Sequence, residues 1–371
     1  MKKTLLFIPL WLFSISIIGM AQINYPFIDQ EGNRDIVAYW YNIPKAIAEL
    51  SGDEMHLNSS LHIYGKAPGE EFKVKVQVYL KSGEKVFDHI FDIRKEDTQE
   101  SYSIEQIDGF FKLKYPVEYL EQNPDKIIVT IKSPEEERTK EITCRYHKLS
   151  GKVTDFNGNP FKAYIIICPD AFAEAGIGIL CDSSGDYEIE VPERTYNSVV
   201  AVDKSYGTKS LEAWGWHIIM DSDQRLDFKL GTGEVYNLNV WANNGGGSSY
   251  FISFRPMVLF KHNKFPINLN EKEFMCSDLD PILELADITV KVNGKKAEII
   301  SLQKYYETGT LETALPAYVV QVSKKGLEIT GKQTVMVEYK KETEISGRKV
   351  VCNSMGYFQF YLNYNGLSKY F

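Results

Sequence analysis

The stretch FKVKVQVYL at residues 72–80 alternates strictly between apolar and polar side chains. Phe72, Val74, Val76, Val78 and Leu80 fall on one side of an extended chain and Lys73, Lys75, Gln77 and Tyr79 on the other, the period of a strand with one buried face. A helix would scatter the same residues around its circumference, so this stretch sets the fold class as β. KSGE then turns the chain into KVFDHIFDI (85–93), and the two runs read as a hairpin. Further strands are expected at IIVTIK (127–132) and KEITCRY (140–146), joined by the acidic SPEEER. Antiparallel strands at such short spacing read as an immunoglobulin-like sandwich over residues 22–147. Ahead of it, DIVAYWYNIPKAIAEL (35–50) has the aliphatic spacing of a short helical lead-in, which Pro44 restricts to pieces.

The same pattern returns in residues 233–371. Strands are expected in GEVYNLNVW, SYFISFRPMVLF, DITVKV, AYVVQVS, QTVMVEYK and YFQFYLNY, and Asn293-Gly294 between ITVKV and KKAEI is the strongest hairpin signal in the chain. NEKEFMCSDLDPILELA (270–286) has room for a short helix broken at Pro281. A second immunoglobulin-like module is the simplest account. The fold class is therefore all-β, with tandem sandwich modules.

The first residues carry a different message. Lys2 and Lys3 precede an apolar block that ends in Gly19-Met20-Ala21, as in a secretory signal peptide over residues 1–21. Export to the periplasm, cell surface or medium is the expectation, with no transmembrane segment in the mature chain. The net charge of −8 and the absence of basic runs argue against nucleic acid as a partner. Five cysteines, at 144, 168, 181, 276 and 352, lack zinc-site spacing, and Cys168 with Cys181 is the best candidate for a disulfide.

Between the two modules, GKVTDFNGNPFKAYIIIC (151–168) is followed by DSSGDYEIEVP (182–192). Through Gly151, Val153, Asp155, Gly158, Pro160, Ala163, Asp182, Gly185, Tyr187 and Ile189, residues 148–232 resemble the carboxypeptidase regulatory-like domain, a transthyretin-like sandwich grouped with carbohydrate-binding-like folds. The resemblance implies a small β-sandwich used as an accessory module on exported proteins, and no activity of its own. Asn157-Gly158 and Ser184-Gly185 are turn dipeptides, and Asp155 and Asp182 are expected to bond turn amides rather than a metal.

Catalytic motifs are missing. None of the six histidines has glutamate three residues on, so the zinc carboxypeptidase pair is absent, and His-Glu-x-x-His, Gly-x-Ser-x-Gly and the P-loop are absent too. No cofactor is implied. Asp221, Asp223 and Asp227 are weak metal candidates whose spacing departs from an EF-hand, and a solvated turn is the better reading. Aromatic rings are the remaining chemistry. Trp214, Trp216, Tyr236, Trp241 and Tyr250 are candidate ligand-binding residues, since flat rings stack on sugar faces while interleaved Asn237, Asn239, Asn243 and Asn244 supply hydrogen bonds. Against this, a strand through AWGWHI puts Trp214, Trp216 and Ile218 on one face, the pattern of a core or a domain seam, with His217 on the other. The leading expectation is a non-catalytic binding or accessory protein for a glycan or an envelope protein. The rivals are an assembly component of an outer-membrane complex and a hydrolase whose carboxylates converge from distant strands.

Overall fold

A computed structural model describes residues 36–43, 59–94, 103–107, 109–170, 177–243, 247–259, 261, 263–308, 313–345, 347–362 and 368–369. Residues 1–21, where a signal peptide is expected, and Asn244 lie outside them. The described chain is all-β, built as sandwiches around three large hydrophobic cores and two small ones.

Residues Phe72–Tyr79 form the strand that their alternation requires, with every apolar position buried and every polar one at least partly exposed. Phe72–Tyr79 lies between Lys85–Ile93 and Lys126–Lys132, and Glu137–Thr143 closes that four-stranded sheet. The facing sheet holds Val37–Tyr41, Ser60–Lys66, Phe110–Pro116 and Ser103–Ile107. Val74, Val76, Leu61, Ile63, Leu113 and Val129 fill the space between the sheets. The described part of the lead-in, residues 36–43, differs from the expected helix, since VAYWY pairs antiparallel with Ser60–Lys66, and residues 44–50 lie outside the described residues. Its β-branched and aromatic residues suit a pleated surface better than a helix, and tertiary pairing overrides the aliphatic spacing.

The central sandwich packs Tyr146–Asp155 and Asp186–Pro192 against Tyr164–Cys168 and Arg194–Val202. Asp155 Oδ1 accepts the Asn157 and Asn159 amides at 2.7 and 2.8 Å, and Asp182 Oδ1 accepts those of Ser184 and Asp186 at 2.8 and 3.0 Å, so both aspartates build turns. Gly185 has φ 80°, and a Cβ there would lie 2.3 Å from the Val153 carbonyl oxygen. The expected disulfide does not form, and all five cysteines are free thiols. Cys181 donates its amide to Ala163, whereas Cys168 sits five residues further along the neighbouring strand, roughly 16 Å away and beyond a disulfide's reach.

In the C-terminal region, Asn293 and Gly294 both have positive φ, 49° and 77°, and join Ile288–Val292 to Lys295–Lys296 as a tight turn. The expected helix at 270–286 is instead a strand, Lys272–Asp278, paired with Asn263–Leu269 and followed later by a 3-10 turn at Leu285–Asp287. Alternating exposed charges allow the hairpin, and Pro281 leaves too little room for a helix.

The modules do not hang as separate beads. Trp214, Gly215 and Trp216 pair in parallel with Gly356, Tyr357 and Phe358, so one nine-stranded sheet runs from Ile177–Leu180 through both the central and the C-terminal regions across residue 232. At the other junction, Tyr41 and Ile43 enter the central core.

Candidate functional site

Two residues in left-handed backbone shape the candidate site. His217, with φ 52°, interrupts the Ala213–Met220 strand, and the inward face changes phase there. Ala213 and Ile218 both belong to the central core, while Trp216 packs on the C-terminal core. This corrects the expectation that Trp214, Trp216 and Ile218 share one face. His217 itself stacks on Phe358 at 5.4 Å and its Nδ1 lies 2.7 Å from the Gln359 carbonyl oxygen, which makes it a junction residue.

Asn237, also at φ 52°, marks the second change of phase. In the edge strand Gly233–Trp241 the pairing with Ser249–Val258 shifts between Tyr236 and Asn239, a β-bulge. Val235, Leu238 and Val240 all reach the core because of it. Consequently Tyr236, Asn239 and Trp241 share the outer face, although Tyr236 and Trp241 are five residues apart.

The structure divides the five candidate rings into three groups. Trp214 and Trp216 stack at 4.7 Å with planes 12° apart, and Tyr236 meets both edge-on at 5.6 and 5.4 Å. Trp214 is only 4% exposed, so this trio is a seam between sheets, with Trp216 and Tyr236 half-buried at its margin. Trp241 stands on the order of 15 Å further along the strand and stacks on Phe251 at 5.7 Å. Tyr250 points the other way, fully buried against Phe360, and is no part of a surface. Around Trp241 and Phe251 the strand register sets Asn239, Ser253, Gln321 and Gln303 on the outer face, side chains with hydrogen-bonding groups and no charge.

At the seam the chemistry is acidic. Glu234, 3% exposed, accepts the indole N–H of Trp214 on its carboxylate at 2.6 Å. Burial raises its carboxyl well above the usual range, and the neighbouring Glu212 charge adds to this. Burial also raises Glu212, to about 7, against the effect of a hydrogen bond from Tyr206. The nearest guanidinium, Arg255, lies over the Tyr236 ring and is held by Glu307 at 2.5 Å, with Tyr305 donating to the same carboxylate at 3.0 Å. None of Glu212, Glu234, Arg255 or Tyr206 stood out in the sequence. The one trace is Glu234 at the head of GEVYNLNVW, where a charge opens a strand that is otherwise apolar on its core side.

The aspartates lie apart from this cluster. Asp221 pairs with Lys332 at 2.5 Å, and the Oδ1 atoms of Asp223 and Asp227 accept the amides of Lys148 and Lys152, both at 2.8 Å. These bonds pin the 221–227 turn to Tyr146–Asp155, and among the described residues no three His, Cys, Asp or Glu side chains are grouped to hold a metal. A depression of about 280 Å³, open to solvent, lies beside Asp227, between Lys152, Lys229 and Lys291. Among the described residues no helix is long and apolar enough to cross a membrane.

No protein-family model and no curated protein matches the chain. Among solved structures it is similar to the Bacillus anthracis TIE protein, with 10% identity over 90% of this chain and 73% of that one and a TM-score of 0.18. It is also similar to the N-terminal eight Ig domains of Down Syndrome Cell Adhesion Molecule, with 11% identity, 88% and 39% coverage and a TM-score of 0.16.

Proposed function

We propose that this chain is an exported, non-catalytic binding protein of the bacterial envelope that engages a glycan on the outer face of its C-terminal sheet. One observation carries the reading: the outward Trp241–Phe251 stack sits among uncharged amide and hydroxyl groups. Flat rings cover the apolar face of a sugar, and amides bond its hydroxyls without the desolvation penalty of a charge. The resemblance of residues 148–232 to the carboxypeptidase regulatory-like domain fits this role, with the central sandwich as the module that holds the C-terminal sheet in place. Retention of the mature chain on a panel of immobilised polysaccharides tests it. Delayed migration that Trp241→Ala abolishes is expected, and no retention on any of them removes the glycan reading.

A second reading rests on the strand Ile299–Thr308. It pairs with Thr313–Ser323 on one side and, among the described residues, with nothing on the other. An open ten-residue edge is a template for strand addition by a protein partner. Co-purification of the envelope-expressed chain with a stable partner, lost on placing proline at Ser301, supports that reading.

A further inference from the structure

The depression of about 280 Å³ beside Asp227 lies where two sandwiches meet, and its walls come from both. The central sandwich supplies Lys152, on Tyr146–Asp155, and Lys229, on Phe228–Leu230, which pairs in parallel with Val153, Thr154 and Asp155. The C-terminal strands of the nine-stranded sheet supply Lys291, Met336, Glu338, Met355 and Tyr357. Hydrogen bonds tie the walls together: the Met355 sulfur accepts the Lys229 amide at 3.1 Å, and the Tyr357 hydroxyl donates to the Asp227 carbonyl at 2.7 Å. The cleft is preformed, as ligand sites between domains commonly are.

Floor and rim differ in character. The strand register sets Lys291 beside Met336 and Met336 beside Tyr357, so a thioether and a phenol ring adjoin the lysine. Each acid in or next to the cleft already has a cation: Glu338 meets Lys229 at 3.0 Å, Asp227 meets Arg225 at 2.9 Å, and Asp186 meets Lys152 at 3.3 Å. Lys291 is left over. It stands directly opposite Lys296 in its hairpin, both are exposed, and neither makes an ion pair among the described residues. Like charges facing each other across a strand pair are unfavourable. In a chain of net charge −8 they make a local excess of positive charge that no acid in the cleft relieves.

We propose that this cleft binds a small organic carboxylate, whose charge is met by Lys291 with Lys296 beside it and whose apolar side lies on Met336 and Tyr357. The ammonium groups bond a carboxylate through charge-assisted hydrogen bonds, and a polarizable thioether with an aromatic ring suits an apolar surface. An inorganic anion would satisfy the lysines but leave the floor unused. A volume of about 280 Å³ is at the small end of ligand sites, so the ligand is of monosaccharide size. An acidic sugar and a short acyl acid share this chemistry. The inference goes beyond the glycan reading and does not rest on it, because none of these residues belongs to the Trp241–Phe251 face.

Met336 and Met355 are built-in reporters, since both line the cleft. Their methyl signals in the full chain, labelled at the ε-carbon and assigned through Met336→Leu and Met355→Leu, can be followed by NMR as glucuronate or hexanoate is added, with glucose and sulfate as controls. Saturable shifts with at least one of the two acids are expected, and the acid that binds more tightly tells a sugar source from an acyl one. Lys291→Ala should weaken that binding about tenfold or more, and Trp241→Ala should leave it unchanged. Absence of a saturable shift with either acid overturns the proposal, as does glucose or sulfate acting as well as the acids, or an affinity that Lys291→Ala does not alter. Loss of the shifts in Trp241→Ala would assign the acid to the other face and overturn it too.

Discussion

The two junctions of this molecule solve the same problem with opposite charge balance. Between the N-terminal and central sandwiches, Arg194 is buried and its charge is matched. Its guanidinium bonds Asp170 Oδ1 at 2.7 Å, the Tyr41 hydroxyl at 2.7 Å and the Pro169 carbonyl at 3.3 Å, and it lies over the Tyr39 ring at 4.5 Å. Tyr64 and Lys112 complete the shell of Asp170, and His62 sits behind Tyr64. Burial alone would raise the Asp170 carboxyl, but Arg194 and Lys112 outweigh it and hold it well below the usual range. Between the central and C-terminal sandwiches, buried Glu234 has the neutral Trp214 indole as its hydrogen-bond partner and half-buried Glu212 as its neighbour, and both carboxyls are raised. A matched network rigidifies and tolerates neutral pH, whereas an unmatched one makes its junction depend on a proton. The same chain thus has one junction whose buried acid meets a guanidinium and another whose buried acid meets only a neutral indole.

The largest expected effect tests the matched junction. Arg194→Ala leaves Asp170 buried without its main counter-charge and should cost about 3–5 kcal/mol of stability by chemical denaturation. A loss near zero would mean that the network does not hold the junction. Acid should act on the same site. Because the folded carboxyl of Asp170 is depressed, its contribution is present above the unfolded value of about 4 and fades as pH falls below it. Asp170→Asn should flatten that acid limb of the stability curve.

The unmatched junction responds with the opposite sign. A raised carboxyl favours the fold below the unfolded value of about 4.3 and loses that advantage as pH rises through its folded value, about 7 for Glu212. Glu212→Gln should therefore change little near pH 5 and gain on the order of 1–2 kcal/mol near pH 8, a figure discounted for the part of Glu212 that meets water. Equal effects at both pH values would break the contrast between the junctions.

Smaller effects are expected away from both. Trp241→Ala, on the half-exposed outer face, should lower stability by about 1 kcal/mol or less while abolishing glycan retention, which separates binding from folding. Lys73→Ala removes an ion pair to Asp92 at 3.6 Å between well-exposed side chains, and denaturation should register no more than about 0.5 kcal/mol.

How far the sequence could be read depended on the range of the forces involved. Phe72–Tyr79 and Asn293-Gly294 were legible because a period of two and a positive-φ dipeptide are local properties. The lead-in VAYWY was misread as helical because its local spacing was ambiguous and the deciding partner, Ser60–Lys66, follows an intervening segment. The ring candidates were legible as a cluster but not as a site. One left-handed residue, His217, changed the phase of their strand, and nothing in AWGWHI announces it.

By itself, then, the sequence determined the all-β class, the turns of the central sandwich, the rings on offer and the lack of local catalytic motifs, since each depends on neighbours in the chain. Tertiary structure alone decided that Trp214 would be sealed in a seam and Trp241 set on a face. It also brought Glu212 beside Glu234, and Arg194 to Asp170. Those outcomes depend on sheet pairings between segments far apart in the chain, such as Trp214 with Gly356, and on burial, which changes what a carboxyl does without changing its place in the sequence.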